Sequence, residues 1–111
     1  MMMRGGVLGE QRVVPTSWVH DSTTPSADYL KPGHLGDGPE GYGYQWWISP
    51  GNDGAFEALG IFGQSIYVNP KLHVVIVQTS AWPAPLGGGP ELNEENAVVH
   101  QAIAEAVGNP Q

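Results

Sequence analysis

The apolar positions of this chain follow two different periods. Between Gly41 and Ser80 they alternate or run together as strands do, and from Leu92 to Val107 they recur at helical spacing. Phe62 to Asn69 and Leu72 to Ser80 predict a hairpin joined across Asn69-Pro70-Lys71-Leu72, because Pro70 has its φ preset for the second position of a tight turn and Asn69 suits the first. In the second run Leu72, Val74 and Ile76 point one way, and Val75 and Val77 the other. A strand apolar on both sides is expected to be central and covered above and below. The first run sets Gln64, Ile66 and Val68 against Ser65, Tyr67 and Asn69. Tyr42 to Ser49 reads as a third strand, with Tyr42, Tyr44 and Trp46 on one face and Gly43, Gln45 and Trp47 on the other. A turn from Ser49 to Gly54 then returns Ala55 to Gly60 to the sheet.

The helical stretch is well signalled at its start. Asn93 is a candidate N-cap, Glu94 and Glu95 complement the helix dipole, and Leu92 can staple onto Ala97. Val99, Ala102, Ile103, Ala106 and Val107 form the stripe expected to lie on the sheet over Leu72 and Ile76, with Glu95, Gln101 and Glu105 outside. His100 flanks that stripe as a boundary residue, and Gly108 and Pro110 end the helix. At the other end, Met1 to Arg4 reads as the last turn of a helix capped by Gly5 and Gly6, which hints at a truncated start. Val7 to Val14 forms two short extended pieces around a turn. Pro15 opens a short helix with Trp18, expected as a core anchor, and Val19 on one side. Residues 22–40 carry repeated Pro and Gly breaks and read as a long surface loop.

The fold class is therefore α+β, an antiparallel sheet with a C-terminal helix packed on one face. A chain of 111 residues has room for one domain and a modest core. Within it, 1–40 is short helix and loops, 41–80 the sheet, 81–91 a Pro/Gly linker, and 92–107 the terminal helix.

Composition narrows the chemistry. A net charge of -7 with no basic cluster argues against nucleic-acid binding. Without cysteine there is no disulfide framework, thiolate nucleophile or Cys-based zinc site. No 18-residue apolar run exists, so no membrane span is expected in this chain. His34 and Asp37, three apart in a Gly-rich loop, fall short of a metal-ligand set. Neither a metal nor a cofactor is expected.

The run Ala58-Leu59-Gly60-Ile61-Phe62-Gly63-Gln64-Ser65-Ile66-Tyr67-Val68-Asn69-Pro70, with Gly43-Tyr44-Gln45-Trp46-Trp47 ahead of it, resembles the C-terminal part of the beta-lactamase-related serine hydrolases. The branch it is most similar to holds class C beta-lactamases, carboxylesterases and 6-aminohexanoate-dimer hydrolases. The N-terminal stretch from Gly5 to Ser26 resembles the same family, so the likeness spans Met1 to Val107. In that family a Lys-Thr-Gly or His-x-Gly box opens the strand lining the active site. Ala58-Leu59-Gly60 falls on the box without its basic residue, as in the 6-aminohexanoate-dimer hydrolases. The resemblance implies that Ile61, the residue after the box glycine, supplies one oxyanion-hole N–H. Ala58, Leu59 and Gly60 are then the substrate-binding strand, joined by Trp46 or Trp47, of which alternation lets at most one line a pocket.

Catalysis in that family also needs a Ser-x-x-Lys pair, whose lysine takes the serine proton, and a tyrosine to shuttle it. Asp28 stands three before Lys31 and Val68 three before Lys71, so neither lysine qualifies. Tyr67-Val68-Asn69 spells Tyr-x-Asn, but it lies in a strand after the box, whereas the family motif precedes the box, so it reads as coincidence. Two functions follow. One is the C-terminal segment of a serine hydrolase acting on a small-molecule amide or ester through an acyl-enzyme, partnered by the N-terminal remainder of the domain and inactive alone. The other is a free-standing, non-catalytic binding module built on its aromatic-rich strand.

Overall fold

The structure, a computed structural model, describes residues 1–87 and 90–108. Its longest strand and an outermost one meet at the turn that Asn69 marks. Strands β6 (Gln64–Asn69) and β7 (Val74–Gln78) are antiparallel, with Ser65 opposite Gln78 and Asn69 opposite Val74. Asn69 is 1% exposed and fully engaged. Its Oδ1 accepts from the Leu72 N–H at 3.0 Å, and its Nδ2 donates to Asp53 Oδ2 at 2.7 Å and Tyr67 Oη at 3.2 Å. One buried amide thus ties the hairpin turn to the loop before strand β5 (Phe56–Gly60).

Strand β5 pairs with β6 along its whole length, and β4 (Trp47–Ile48) and β3 (Gly41–Tyr42) complete a sheet ordered β3-β4-β5-β6-β7. Strands β1 (Val7–Leu8) and β2 (Gln11–Arg12) form a separate hairpin, held to the chain by Arg12, whose Nη1 reaches Gly5 O and Thr16 Oγ1. Helix α1 (Thr16–Ser22) follows, and helix α2 (Pro90–Gly108) lies on one face of the sheet. The fold is α+β as expected. Its main core joins Ala55, Tyr67 and Val74 to Ala104 of α2, with Leu72 and Ile76 against them. On the opposite face Phe56 and Val68 are buried, and Trp46 stacks edge-on against Phe56 at 5.0 Å.

Five expectations are corrected. Residues 42–49 do not make one strand: Gln45 takes a left-handed φ of 66°, Gly43 N–H donates to Trp46 O at 2.8 Å, and the stretch folds into the β3-β4 hairpin. Gly43 is required there, because it rests on the Ser22 carbonyl with no room for a Cβ. Strand β6 begins at Gln64 rather than Phe62, since Ile61–Gly63 is a tight turn with Phe62 at φ 60°. Strand β7 is the outermost strand of its sheet among the described residues, not a central one. Helix α2 covers only its Val74 and Ile76 face, leaving Val75 and Val77 exposed.

The fourth correction concerns α2, which starts at Pro90, ahead of the expected Leu92. It meets the sheet through His100, Ala104 and Gly108, an i, i+4 row of buried or close-packed positions. A Cβ on Gly108 would stand 2.6 Å from Leu72 Cβ, so small residues decide which side approaches. Val99, Ile103 and Val107, expected inside, are exposed, and His100, expected at the boundary, is 1% exposed. Pro110, the expected stop, lies outside the described residues. Finally, Trp18 is not a core anchor: half of it is exposed, and it packs on the Tyr44 ring at 5.7 Å while Val19 turns inward. In the loop of 22–40, Asp28–Leu30 forms one 3-10 turn.

Candidate functional site

The outer edge of β5 is open where the sequence places its candidate residues. Ser49 N–H donates to Ala55 O at 3.0 Å, so the backbone of Ala55 faces β4. Along a strand the N–H and C=O of alternate residues point the same way, which turns Glu57 and Leu59 toward that edge too. Pairing with β4 stops at Trp47 opposite Glu57, however. Past that point the edge from Ala58 to Gly60 has no strand beside it among the described residues.

The chain then turns sharply, and the turn is clamped from the linker side. Phe62 N–H donates to Pro85 O at 2.9 Å, Trp82 N–H donates to Phe62 O at 3.2 Å, and the Trp82 indole covers Gly63. Gly63 has φ 80° and no space for a side chain, so glycine is required on both counts. Among the described residues, no backbone bond of this loop uses the Ile61 N–H. Leu59 and Ile61 are both more than half exposed.

A cleft of about 560 Å³ opens along this edge, lined among others by Trp47, Glu57, Leu59, Gly60, Ile61 and Ser65. It divides the sequence-derived set. Trp47, Leu59, Gly60 and Ile61 share it, whereas Trp46 is stacked on Phe56 and Ala58 alternates away from Leu59. Trp47 is braced by Tyr42, edge-on at 4.9 Å.

Behind the edge lies a buried polar chain that the sequence reading missed. His100 Nε2 and Gln78 Oε1 are 3.0 Å apart, and Gln78 Nε2 donates to Gly63 O at 3.3 Å and Ser80 Oγ at 3.0 Å. Because Gly63 O can only accept, the Gln78 amide is oriented with its oxygen toward His100, whose Nε2 must donate. In the neutral ring the lone pair is then on Nδ1, and Nδ1 stands 3.9 Å from Glu57 Oε2 with no hydrogen-bond partner. Burial holds His100 below the usual imidazole range. Burial first, and then the charge of Glu40, holds Glu57 above the usual carboxylate range. Ser65 Oγ is likewise buried without a partner. The signal available in sequence was the spacing of His100, Ala104 and Gly108, which reads as a packing row only once small residues are weighed above apolar ones.

A second cleft of about 470 Å³ adjoins the first, with Glu40, Asp53, Glu57, Tyr67, Lys71 and His100 in its wall. Among the described residues no group of three His, Cys, Asp or Glu is placed to hold a metal ion. His34 pairs with Asp28 at 3.3 Å on the surface, and Lys31 holds the same carboxylate at 2.7 Å. No described helix is long and apolar enough to cross a membrane.

No family profile matches the chain. A curated relative, the 6-aminohexanoate-dimer hydrolase of Paenarthrobacter ureafaciens, is 35% identical over 88 residues, which are 77% of this chain and 22% of the relative. A solved structure from Bacillus anthracis, provisionally named a 6-aminohexanoate-dimer hydrolase, superposes with a TM-score of 0.76 at 27% identity. That match covers 99% of this chain and 27% of the solved one. The chain therefore spans about a fifth to a quarter of the length of these relatives.

Proposed function

We propose that this chain, similar in sequence and fold to a segment of the 6-aminohexanoate-dimer hydrolases, forms one wall of a serine hydrolase active site that cleaves amides or esters through an acyl-serine intermediate. The observation that supports this best is the open edge of β5 ending at Gly60 and Ile61. An N–H that no strand claims can meet an acyl oxygen, and its dipole is worth most as negative charge develops there. Ile61 is given the oxyanion N–H, Leu59 and Gly60 the backbone beside the substrate, and Trp47 the side wall. Only the backbone of Ile61 acts, so an inert side chain suffices.

The nucleophile and its base come from elsewhere in the domain, since the chain has no Ser-x-x-Lys. The same division of labour accounts for two apolar surfaces: the Val75 and Val77 face of the outermost strand, and the Val99, Ile103 and Val107 face of α2. Both are given to the N-terminal remainder of the domain.

The test is a chimera in which residues 1–111 replace the matching segment of the Paenarthrobacter ureafaciens relative. A folded chimera should turn over an amide or ester substrate and be labelled by an active-site serine probe outside residues 1–111. A folded, active chimera whose turnover is unchanged by Ile61→Pro, which removes that N–H, would remove this segment from the oxyanion site.

A further inference from the structure

The turn that carries the Ile61 N–H is not one its own residues favour. Phe62 sits in the left-handed region at φ 60°, where a Cβ crowds the backbone, so the turn keeps its shape through what grips it from outside. Among the described residues three of its backbone groups are gripped: Phe62 N–H by Pro85 O, Phe62 O by Trp82 N–H, and Gly63 O by Gln78 Nε2 at 3.3 Å. The first two bonds come from the linker backbone. The third comes from a side chain that is itself held on both sides. Gln78 Nε2 also donates to Ser80 Oγ, and Gln78 Oε1 accepts from His100 Nε2 at 3.0 Å. His100 is 1% exposed on α2, and its Nδ1 has no hydrogen-bond partner. Burying a ring nitrogen unpaired is costly, so packing alone would be served better by an apolar side chain. What the imidazole adds at this place is its Nε2–H.

We propose that His100 and Gln78 are positioning residues for the oxyanion turn: the α2 imidazole orients the Gln78 amide, and the amide holds the Gly63 carbonyl so that the Ile61 N–H keeps its aim into the cleft beside β5. Neither residue lines that cleft, so both act through the turn. Without the Nε2–H the amide is free to flip, and its oxygen then faces Gly63 O, two acceptors with no hydrogen between them. The turn is released on that side. A displaced donor costs most where charge is fully developed, so the loss falls on the transition state more than on substrate binding. The inference rests on the hydrolase reading for its catalytic consequence, whereas the hold on the turn does not depend on it.

The test uses the chimera described above, with kcat taken per site titrated by the serine probe, so that misfolded enzyme is not counted. His100→Leu should lower kcat about tenfold with KM changed less than about twofold. His100→Gln, whose amide keeps an N–H near the same place, should restore most of the loss. Gln78→Leu should lower kcat by a similar factor, and adding His100→Leu to it should lower kcat no further, because the histidine acts through the glutamine. If His100→Leu does not fold, Gln78→Leu alone decides. Unchanged kcat in these variants, a His100→Gln as impaired as His100→Leu, or losses that multiply in the double variant would overturn the proposal. Hydrogen exchange over residues 59–64, read by mass spectrometry, needs no turnover and so separates this inference from the hydrolase reading. Exchange should quicken at least about threefold in His100→Leu and Gln78→Leu, but not in His100→Gln. That pattern in a chimera without turnover would uphold the hold on the turn and remove only its catalytic consequence. Equal exchange in all variants would overturn the positioning role whatever the turnover.

Discussion

In the proposed function the Ile61 backbone acts and its side chain does not, which separates two substitutions at one position. In an active chimera Ile61→Val should leave turnover nearly unchanged. Replacing the Ile61 amide by an ester removes the donor and should lower kcat by about 10² to 10³, the range for loss of one oxyanion donor, with a smaller change in KM. Undiminished kcat in the ester variant would make Ile61 an ordinary turn residue. Asn69 is the structural counterpart. Asn69→Ala removes three hydrogen bonds and strands Asp53 and Tyr67, so denaturant unfolding should show a loss of about 2–3 kcal/mol. Glu57 yields a prediction in pH. Its carboxyl is held above its ordinary range when folded, so its proton stabilises the fold fully below pH 4.5, and that contribution is lost as pH rises through the raised value. Glu57→Gln should therefore raise Tm at neutral pH relative to the unaltered chain, with the gain vanishing below the ordinary carboxylate range. A pH-independent difference in Tm would assign the effect to packing.

Among the elements, β7 and α2 each turn an apolar face outward. An outermost strand with exposed Val75 and Val77 presents unpaired backbone and grease together, which templates association. The 111-residue chain should sediment as oligomers at micromolar concentration, and Val77→Lys should shift it toward monomer. A monomeric chain with one cooperative thermal transition would instead favour a free-standing module. These faces were also where element-level reading went astray. Apolar alternation correctly marked β7 as a strand, but it placed the strand inside the sheet, whereas β7 is outermost among the described residues and its Val75 and Val77 face is exposed. For α2, Val99, Ile103 and Val107 outweighed Ala104 and Gly108 on any hydropathy count. The closer approach over Leu72 is made by the small residues.

For the whole molecule, the absence of Ser-x-x-Lys predicts that this chain alone gives no turnover of a chromogenic ester and no stoichiometric labelling by a serine probe. Labelling of any of its serines would overturn its role as a supporting wall. The likeness to relatives of which it matches only 22% and 27% fits that role, since a cleft strand needs a second wall to make a site. Much of that strand was legible beforehand. The box proposes Gly60 and Ile61, and only the folded chain shows that Trp47 lines their cleft while Trp46 packs on Phe56. The choice depends on Gln45 turning the chain, and that left-handed residue has no signature in a run of aromatics.

Local chemistry was thus decided by the amino-acid order itself: the Asn69-Pro70 turn, the strand runs on either side, the α2 boundaries to within about a turn, and the absence of a Ser-x-x-Lys pair. Each depends on neighbours a few positions apart, where sterics and periodicity act directly. The pairing of Glu57 with His100 was decided only in three dimensions, by Gln78, whose amide takes its orientation from Gly63 O on the far side of a hairpin. A buried lone pair facing a carboxylate is a property of four residues from three elements and a turn, and no spacing along the chain encodes it.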